Sequence, residues 1–186
     1  PLQLTTKNPP ALLEVRGEAY IATMNFEKLN TQLAANGEEP FPNARNATAG
    51  TLKQLDPRLV AQRPISIVFY AVGACDGISF KTHSKLLEAL REFGLPTQAV
   101  WWVCQDINEV LRVYNNEVVC HYDENRDLRT KVPYEIDGIV LKVNNIADAK
   151  RIPAKTRAPG DAIVHKPIPW ITPAETLLKA ITIQVG

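Results

Sequence analysis

The chain has 186 residues, of which 45% are hydrophobic and 22% charged, with 14 prolines and 9 glycines. That composition excludes a disordered, collagen-like or disulfide-dense chain and suits one globular domain burying roughly 70% of its unfolded surface. Lys+Arg 21 against Asp+Glu 20 leaves a net charge of +1, with a pI near 8.2, so any phosphate binding must rest on placed cations and not on a global basic field. The longest apolar stretch, Ile65 to Cys75, is broken by Ser66 and Gly73 and falls short of the ~18 residues of a membrane span. Pro1 to Pro10 is polar and proline-rich, without a basic-then-apolar leader, so the expectation is a soluble, cytoplasmic protein with no membrane partner. Cys75, Cys104 and Cys120 form no C-x-x-C pair, and Cys120-His121 has no second ligand pair at zinc spacing, so reduced cysteines and no zinc in this chain are expected. The single methionine, Met24, and a strand-like ending at Ile181–Gly186 suggest a piece of a longer chain.

Leu13, Val15, Gly17, Ala19 and Ile21 alternate with Glu14, Arg16, Glu18 and Tyr20, the period of a strand with one polar face. Asn25 reads as the N-cap of a helix carrying Phe26, Leu29 and Leu33 and ending at Asn36-Gly37. Phe41 to Asp56, dense in Asn, Ala, Thr and Gly, predicts a loop running into a short helix. Ile65 to Ala74 predicts a buried strand, and Leu86, Leu87, Leu90 and Phe93 a helix stopped by Gly94. Val100–Val103 predicts a short strand. Asp106 with Glu109 resembles a capping box opening a helix with Val110, Leu111 and Tyr114. A polar loop is expected from Asn115 to Lys131, then a strand from Glu135 to Val143 with a turn or bulge at Asp137-Gly138, and another at Ala162–His165. Hairpins mixed with crossovers give an α+β fold, read as one domain over 1–186.

Four clusters combine charge with strand or turn placement. Glu14, Arg16 and Glu18 share one strand face, which is either a solvated edge, the commoner case, or the floor of a site. Asn43 to Gly50, continuing to Lys53, offers small residues that admit a ligand close to the backbone and Arg45 for a phosphate; an alanine-rich surface helix is the plainer reading. Lys142, inside the apolar run Ile139–Leu141, needs a partner or a ligand unless it faces solvent from an edge strand. The same alternatives apply to His165-Lys166.

In this order, the strings Leu13-Glu14-Val15-Arg16-Gly17-Glu18, Asn43 through Pro57, Ile136-Asp137-Gly138-Ile139-Val140-Leu141-Lys142-Val143-Asn144 and Gln184-Val185-Gly186 closely resemble the bacterial NAD-dependent DNA ligases, in the later part of their adenylation (nucleotidyltransferase) domain. The resemblance implies antiparallel sheets flanked by helices and a three-step reaction. A lysine attacks the α-phosphorus of NAD and releases NMN, AMP passes to the 5′-phosphate of a DNA nick, and the 3′-hydroxyl displaces it. It implies Glu18 at the nucleotide ribose or a metal-bound water, Arg45, Lys53 and Arg129 near phosphates, and Tyr70 on adenine. It further implies Asp137 and Glu18 at Mg2+, and Lys142 and Lys166 neutralising the α-phosphate, with Lys142, Lys166 and Asp137 as the catalytic set. NAD as AMP donor, Mg2+ and nicked duplex DNA are the implied ligands; oligomeric state is left open.

Three departures accompany the resemblance. No K-x-D-G string, the family's nucleophile motif, occurs in the chain, so the chain alone is expected to be inactive. The family's NMN-binding domain, oligonucleotide-binding barrel and zinc module have no counterpart in it. Pro159-Gly160-Asp161 stands for Pro-Arg-Trp, Lys53 for an arginine, and His165-Lys166-Pro167 for a lysine between aromatics. Two other readings stay open, a non-catalytic relative binding DNA or nucleotide and a related nucleotidyltransferase using ATP or capping RNA; the Asn43–Pro57 string argues against the second.

Overall fold

Alternation places Leu13, Val15, Gly17 and Ala19 inward and Glu14, Arg16 and Glu18 outward along β1 (Leu12–Ile21) in the computed structural model, which describes residues 4–118, 128–154, 159–166 and 177–182. β1 pairs antiparallel with β2 (Ile65–Asp76), from Leu12 opposite Asp76 to Ile21 opposite Ile65, with irregularities between Leu13 and Val15 and between Arg16 and Gly17. A second antiparallel pair joins β3 (Ile139–Lys142) to β4 (Ala162–His165), with Ile139 opposite His165 and Lys142 opposite Ala162. Helices lie between and beside these two small sheets, so the fold is mixed α+β, as expected.

Between the strands of the first pair run α1 (Thr23–Ala35), α2 (Ala44–Leu52) and α3 (Pro57–Ala61). The α1 start corrects the Asn25 cap. Ala22 is the N-cap and lends no side chain; instead the Thr23 amide donates to the Pro133 carbonyl at 2.9 Å, a partner 110 residues away. α2 opens directly after Asn43, whose side chain accepts from the Asn46 amide at 2.8 Å, so little of the expected preceding loop remains. Its small residues Ala44, Ala47, Thr48 and Thr51 are buried, Ala47 packing with Ile21, Leu29 and Leu33. Buried hydroxyls need acceptors, and Thr48 and Thr51 donate to Ala44 and Ala47 carbonyls at 2.8 and 2.7 Å.

The main core lies where α4 (His83–Glu92) crosses β2: Leu86, Leu87 and Leu90 meet Phe69, Phe93 and Leu95. Thr82 caps α4 by accepting from the Lys85 amide, and Gly94, at φ +80°, turns the chain so that the Leu95 amide returns to the Leu90 carbonyl at 2.9 Å. Val100–Val103 is not a strand. The Gln98 and Ala99 carbonyls just before it accept from the Arg91 guanidinium, which also lies 4.1 Å from the Trp101 ring centre, and among the described residues no strand runs alongside.

α5 (Ile107–Val113) carries the expected capping exchange with one change: Asp106 accepts from the Glu109 amide, while Glu109 reaches back to the Gln105 amide and not to that of Asp106. The polar stretch expected as loop holds a π-helical turn, Tyr114–Val118, and α6 (Leu128–Lys131); residues 119–127, with Cys120 and His121, lie outside the described set. Val118 and Leu128 gather Tyr114, Val132, Ile136 and Ile139 into a small cluster under β3. The strand expected over Glu135–Val143 is only Ile139–Lys142, and α7 (Ile146–Arg151) follows, capped by Asn145. Ile181 and Thr182 are not in a strand, and 183–186 lie outside the described residues, as does Pro167. The two halves are joined at the start of α4: the His83 amide donates to the Asn144 carbonyl at 2.8 Å, and the Ile146 amide to the Lys81 carbonyl at 3.0 Å. No helix among the described residues is long and apolar enough to cross a membrane.

Candidate functional site

Asp137 sits just before β3, and its Oδ2 atom faces two cations from separate elements: Arg45 of α2 at 3.9 Å and Lys166, after β4, at 4.0 Å. All three side chains are about two-thirds exposed or more, so each pair is loose and worth about 0–1 kcal/mol. An incoming anion could therefore take the place of the carboxylate at small cost. Gly138 makes the corner possible: a Cβ there would collide with the His165 carbonyl oxygen and come within 2.9 Å of the Lys166 Cα.

Strand alternation puts Lys142, Val140, Ala162 and Val164 on one face of the β3–β4 pair. Val140 and Val164 are well exposed, leaving an apolar surface between the two lysine positions. The Lys142 ammonium lies 5.7 Å from the centre of the Tyr70 ring, which is itself 39% exposed and not buried as the strand reading implied. Tyr70 thus offers a partly exposed aromatic ring with a cation over it.

At the Lys142 end of the pair lies a cavity of about 270 Å³ in which His83, Lys142, Lys150 and Asp161 meet an apolar wall that includes Leu86 and Ile146. Burial, aided by the nearby Lys142 charge and opposed by Asp161, lowers His83 to a pKa of about 4. Burial also draws the Lys142 ammonium below the ordinary lysine range, with Asp161 opposing. Asp161 is thus the acid that opposes the effect of burial on Lys142. The sequence gives no sign of His83, which reads only as part of a helix start.

The other anticipated residues are placed less closely. Glu14 is not free for a site: its carboxylate lies over Gly73, where a Cβ would collide with it, accepts from the Ala74 amide at 3.0 Å and pairs with Arg16 at 3.5 Å. The Ala74 bond, with Arg16, holds its pKa below the usual carboxylate value. Glu18 projects from the same strand face, and Lys53 closes α2; among the described residues neither makes a hydrogen bond or ion pair with the Asp137 corner. Arg129 stands half-buried in α6.

Fold and site together define an α+β domain with a cation-lined surface corner beside an exposed aromatic ring, an arrangement suited to a phosphorylated ligand. The family model of the NAD-dependent DNA ligase adenylation domain matches residues 1–169, and the chain belongs to that family. It is similar to the DNA ligase of Methylacidiphilum infernorum (isolate V4), 41% identical over 186 residues, all of this chain and 26% of that protein. It is also similar to those of Geobacter sulfurreducens (39% over 188 residues, all of this chain and 26% of that protein) and Halothermothrix orenii (42% over 178 residues, 94% of this chain and 24% of that protein). The chain spans about a quarter of the length of these relatives.

The donor set bears on the magnesium that the resemblance implies. Among the described residues no group of three or more His, Cys, Asp or Glu side chains could hold a metal. One exposed carboxylate, Asp137, flanked by two cations, suits only an ion that keeps most of its waters and takes further oxygens from a bound phosphate, which is the habit of Mg2+.

Proposed function

We propose that this chain, over 1–186, is the later part of the adenylation domain of an NAD-dependent DNA ligase that forms enzyme-linked AMP from NAD and seals nicks in duplex DNA. The observation carrying this reading is the sharing of Asp137 Oδ2 between Arg45 and Lys166, beside Lys142 and the Tyr70 ring. In the proposed reaction an upstream lysine, outside this sequence, attacks the α-phosphorus of NAD, and NMN leaves with its electron pair. Phosphoryl-type transfer asks the protein for positioning and for positive charge where negative charge develops. Lys142 and Lys166 supply that charge at the α-phosphate, Arg45 and Lys53 hold neighbouring phosphates, and Arg129 adds a further cation. Tyr70 packs on the adenine and Glu18 holds the ribose or a metal-bound water. Mg2+, held through water by Asp137 and Glu18, would neutralise phosphate oxygens. A cytoplasmic location and nicked DNA as partner belong to the same proposal.

The test is a chimera in which this chain replaces the matching residues of the Methylacidiphilum infernorum DNA ligase, weighed intact after exposure to NAD and Mg2+. A gain of one AMP, lost on adding nicked DNA, is expected. A folded chimera that gains nothing would overturn the reading and favour a non-catalytic relative that binds nucleotide or DNA, with Asp161 and the segment around Lys166 as the altered parts. The 186-residue chain alone, without a K-x-D-G lysine, should gain no AMP.

A further inference from the structure

The β3–β4 pair is short and, among the described residues, has no third strand. Such two-stranded pairs hold their shape only when another element covers one face. Here the covered face is the one bearing Ile139, which packs on the Val118–Leu128 cluster together with Tyr114. Ile139 is opposite His165, so His165 occupies the last rung of the ladder on that same face. Its ring meets Tyr114 edge-on, with centres 5.0 Å apart and planes at 80°, and its Nε2 lies 3.2 Å from the Tyr114 hydroxyl. This contact ties the outgoing end of β4 to the start of the π-helical turn.

The next residue is Lys166. Successive strand residues point to opposite faces, so what fixes the direction of one also fixes that of the next. The close passage of the Lys166 backbone over Gly138 leaves little room for the chain to shift toward β3. Ile163, also on the covered face, is 70% exposed, so that face is not sealed along β4 and the His165–Tyr114 contact stands as a local anchor.

We propose that His165 is a positioning residue for Lys166: its hydrogen-bonded, edge-on contact with Tyr114 pins the end of β4 so that Lys166 directs its ammonium to the Asp137 corner. The functional consequence rests on the reading of Lys166 as a phosphate-binding cation; the anchoring itself does not.

The experiment uses the 186-residue chain and four variants, His165→Ala, Tyr114→Phe, Lys166→Ala and the double variant H165A/K166A. Two readouts are taken: ¹³C relaxation at the lysine ε-carbons and AMP affinity by calorimetry. Lys166 should be more ordered than the exposed Lys53 in the parent chain and become as mobile as Lys53 in His165→Ala, with Tyr114→Phe, which keeps the ring, in between. AMP affinity should fall about fivefold in His165→Ala and about twofold in Tyr114→Phe. In the Lys166→Ala background, removing His165 should change affinity no further, whereas a general structural role would weaken both backgrounds alike. Unchanged Lys166 order in both His165→Ala and Tyr114→Phe, or an equal loss of affinity with and without Lys166, would overturn the proposal. Should the parent chain fail to bind AMP, the reading of Lys166 as a phosphate-binding cation fails, while the relaxation data still decide whether His165 positions Lys166.

Discussion

The β1–β2 and β3–β4 ribbons are built from the same unit, two antiparallel strands, and differ in what lies upon them. The first pairs nine residues of β1 with β2 and carries α4, with six buried side chains at that contact. The second pairs four residues, and its cluster has two buried members, Val118 and Leu128. At about 1.5–3 kcal/mol for each fully buried large apolar side chain, the first ribbon holds most of the fold's stability. The second ribbon leaves Val140, Ile163 and Val164 open and carries the lysines and Asp137 at its rim. The proposed lysine and Asp137 contacts thus sit on the thin sheet, while Arg45 and Tyr70 reach them from the thick half, which supplies rigidity. Backbone bonds join the halves where Asn144 and Ile146 meet the start of α4 and where Thr23 meets Pro133, and the cavity at the first of these seams takes residues from both sides, His83 from the thick half and Lys142 and Asp161 from the thin.

The largest expected effect tests the strong half. Leu90→Ala, at a fully buried position, should cost about 2–5 kcal/mol in denaturant unfolding, while any single truncation among Val140, Ile163 and Val164 should cost well under about 1 kcal/mol. Equal losses in the two ribbons would dissolve the contrast. Next, Gly138→Val should cost about 1–3 kcal/mol and act locally, shifting amide resonances of β3 and β4 and leaving those of β1 and β2 in place. Spread of the change across both sheets would mean that the two ribbons are more tightly coupled than their contacts indicate.

The seam should show itself in pH. His83 has a folded pKa of about 4 against 6.5 when unfolded. Below pH 6.5 the unfolded chain takes up a proton that the folded chain refuses, so stability is full above 6.5 and falls as pH drops toward 4. With allowance for the partial exposure of the ring, the loss should be about 1–2 kcal/mol, and His83→Gln should flatten the slope in that window. An unaltered slope would show that other groups carry it. Lys142 acts in the same sense at the alkaline end: with its folded pKa lowered, stability should rise with pH as the buried charge is released below the ordinary lysine value.

The smallest effect belongs to the rim. Asp137→Asn should change stability by less than about 1 kcal/mol, because both of its ion pairs are long and exposed. In the absence of magnesium it should tighten AMP binding roughly twofold by freeing Arg45 and Lys166 from a competing carboxylate. Weaker binding without magnesium would assign Asp137 a direct contact with the nucleotide instead.

What could be read in the sequence follows the same division. The alternation of β1, the leucine spacing of α4 and the cap at Asp106 are local patterns, and the structure contains them. The short Ala162–His165 strand and the Asp137–Lys142 string were legible through their residue types, as were the candidate cations. Three other features depend on contacts that no local sequence pattern displays. The start of α1 is set by Pro133, the irregular path after Pro96 by Arg91, and the short length of β3 by the reach of β4. His83 could not be read as a site residue because its surroundings, Lys142 and Asp161, arrive from 59 and 78 residues away. The Glu14–Arg16–Glu18 face was ambiguous for a related reason: only the fold reveals that Glu14 turns onto Gly73 and that Glu18 stays without such a partner among the described residues.

In the proposed function the rim of the weak sheet grips the phosphate of an adenosine nucleotide. Calorimetric titration of AMP into the 186-residue chain and its Lys142→Ala variant, with unfolding curves to confirm that both are folded, tests it most directly. Saturable one-to-one binding, weakened about tenfold or more in the variant, is the expected result. No binding to the folded parent, or binding that Lys142→Ala leaves unchanged, would contradict it.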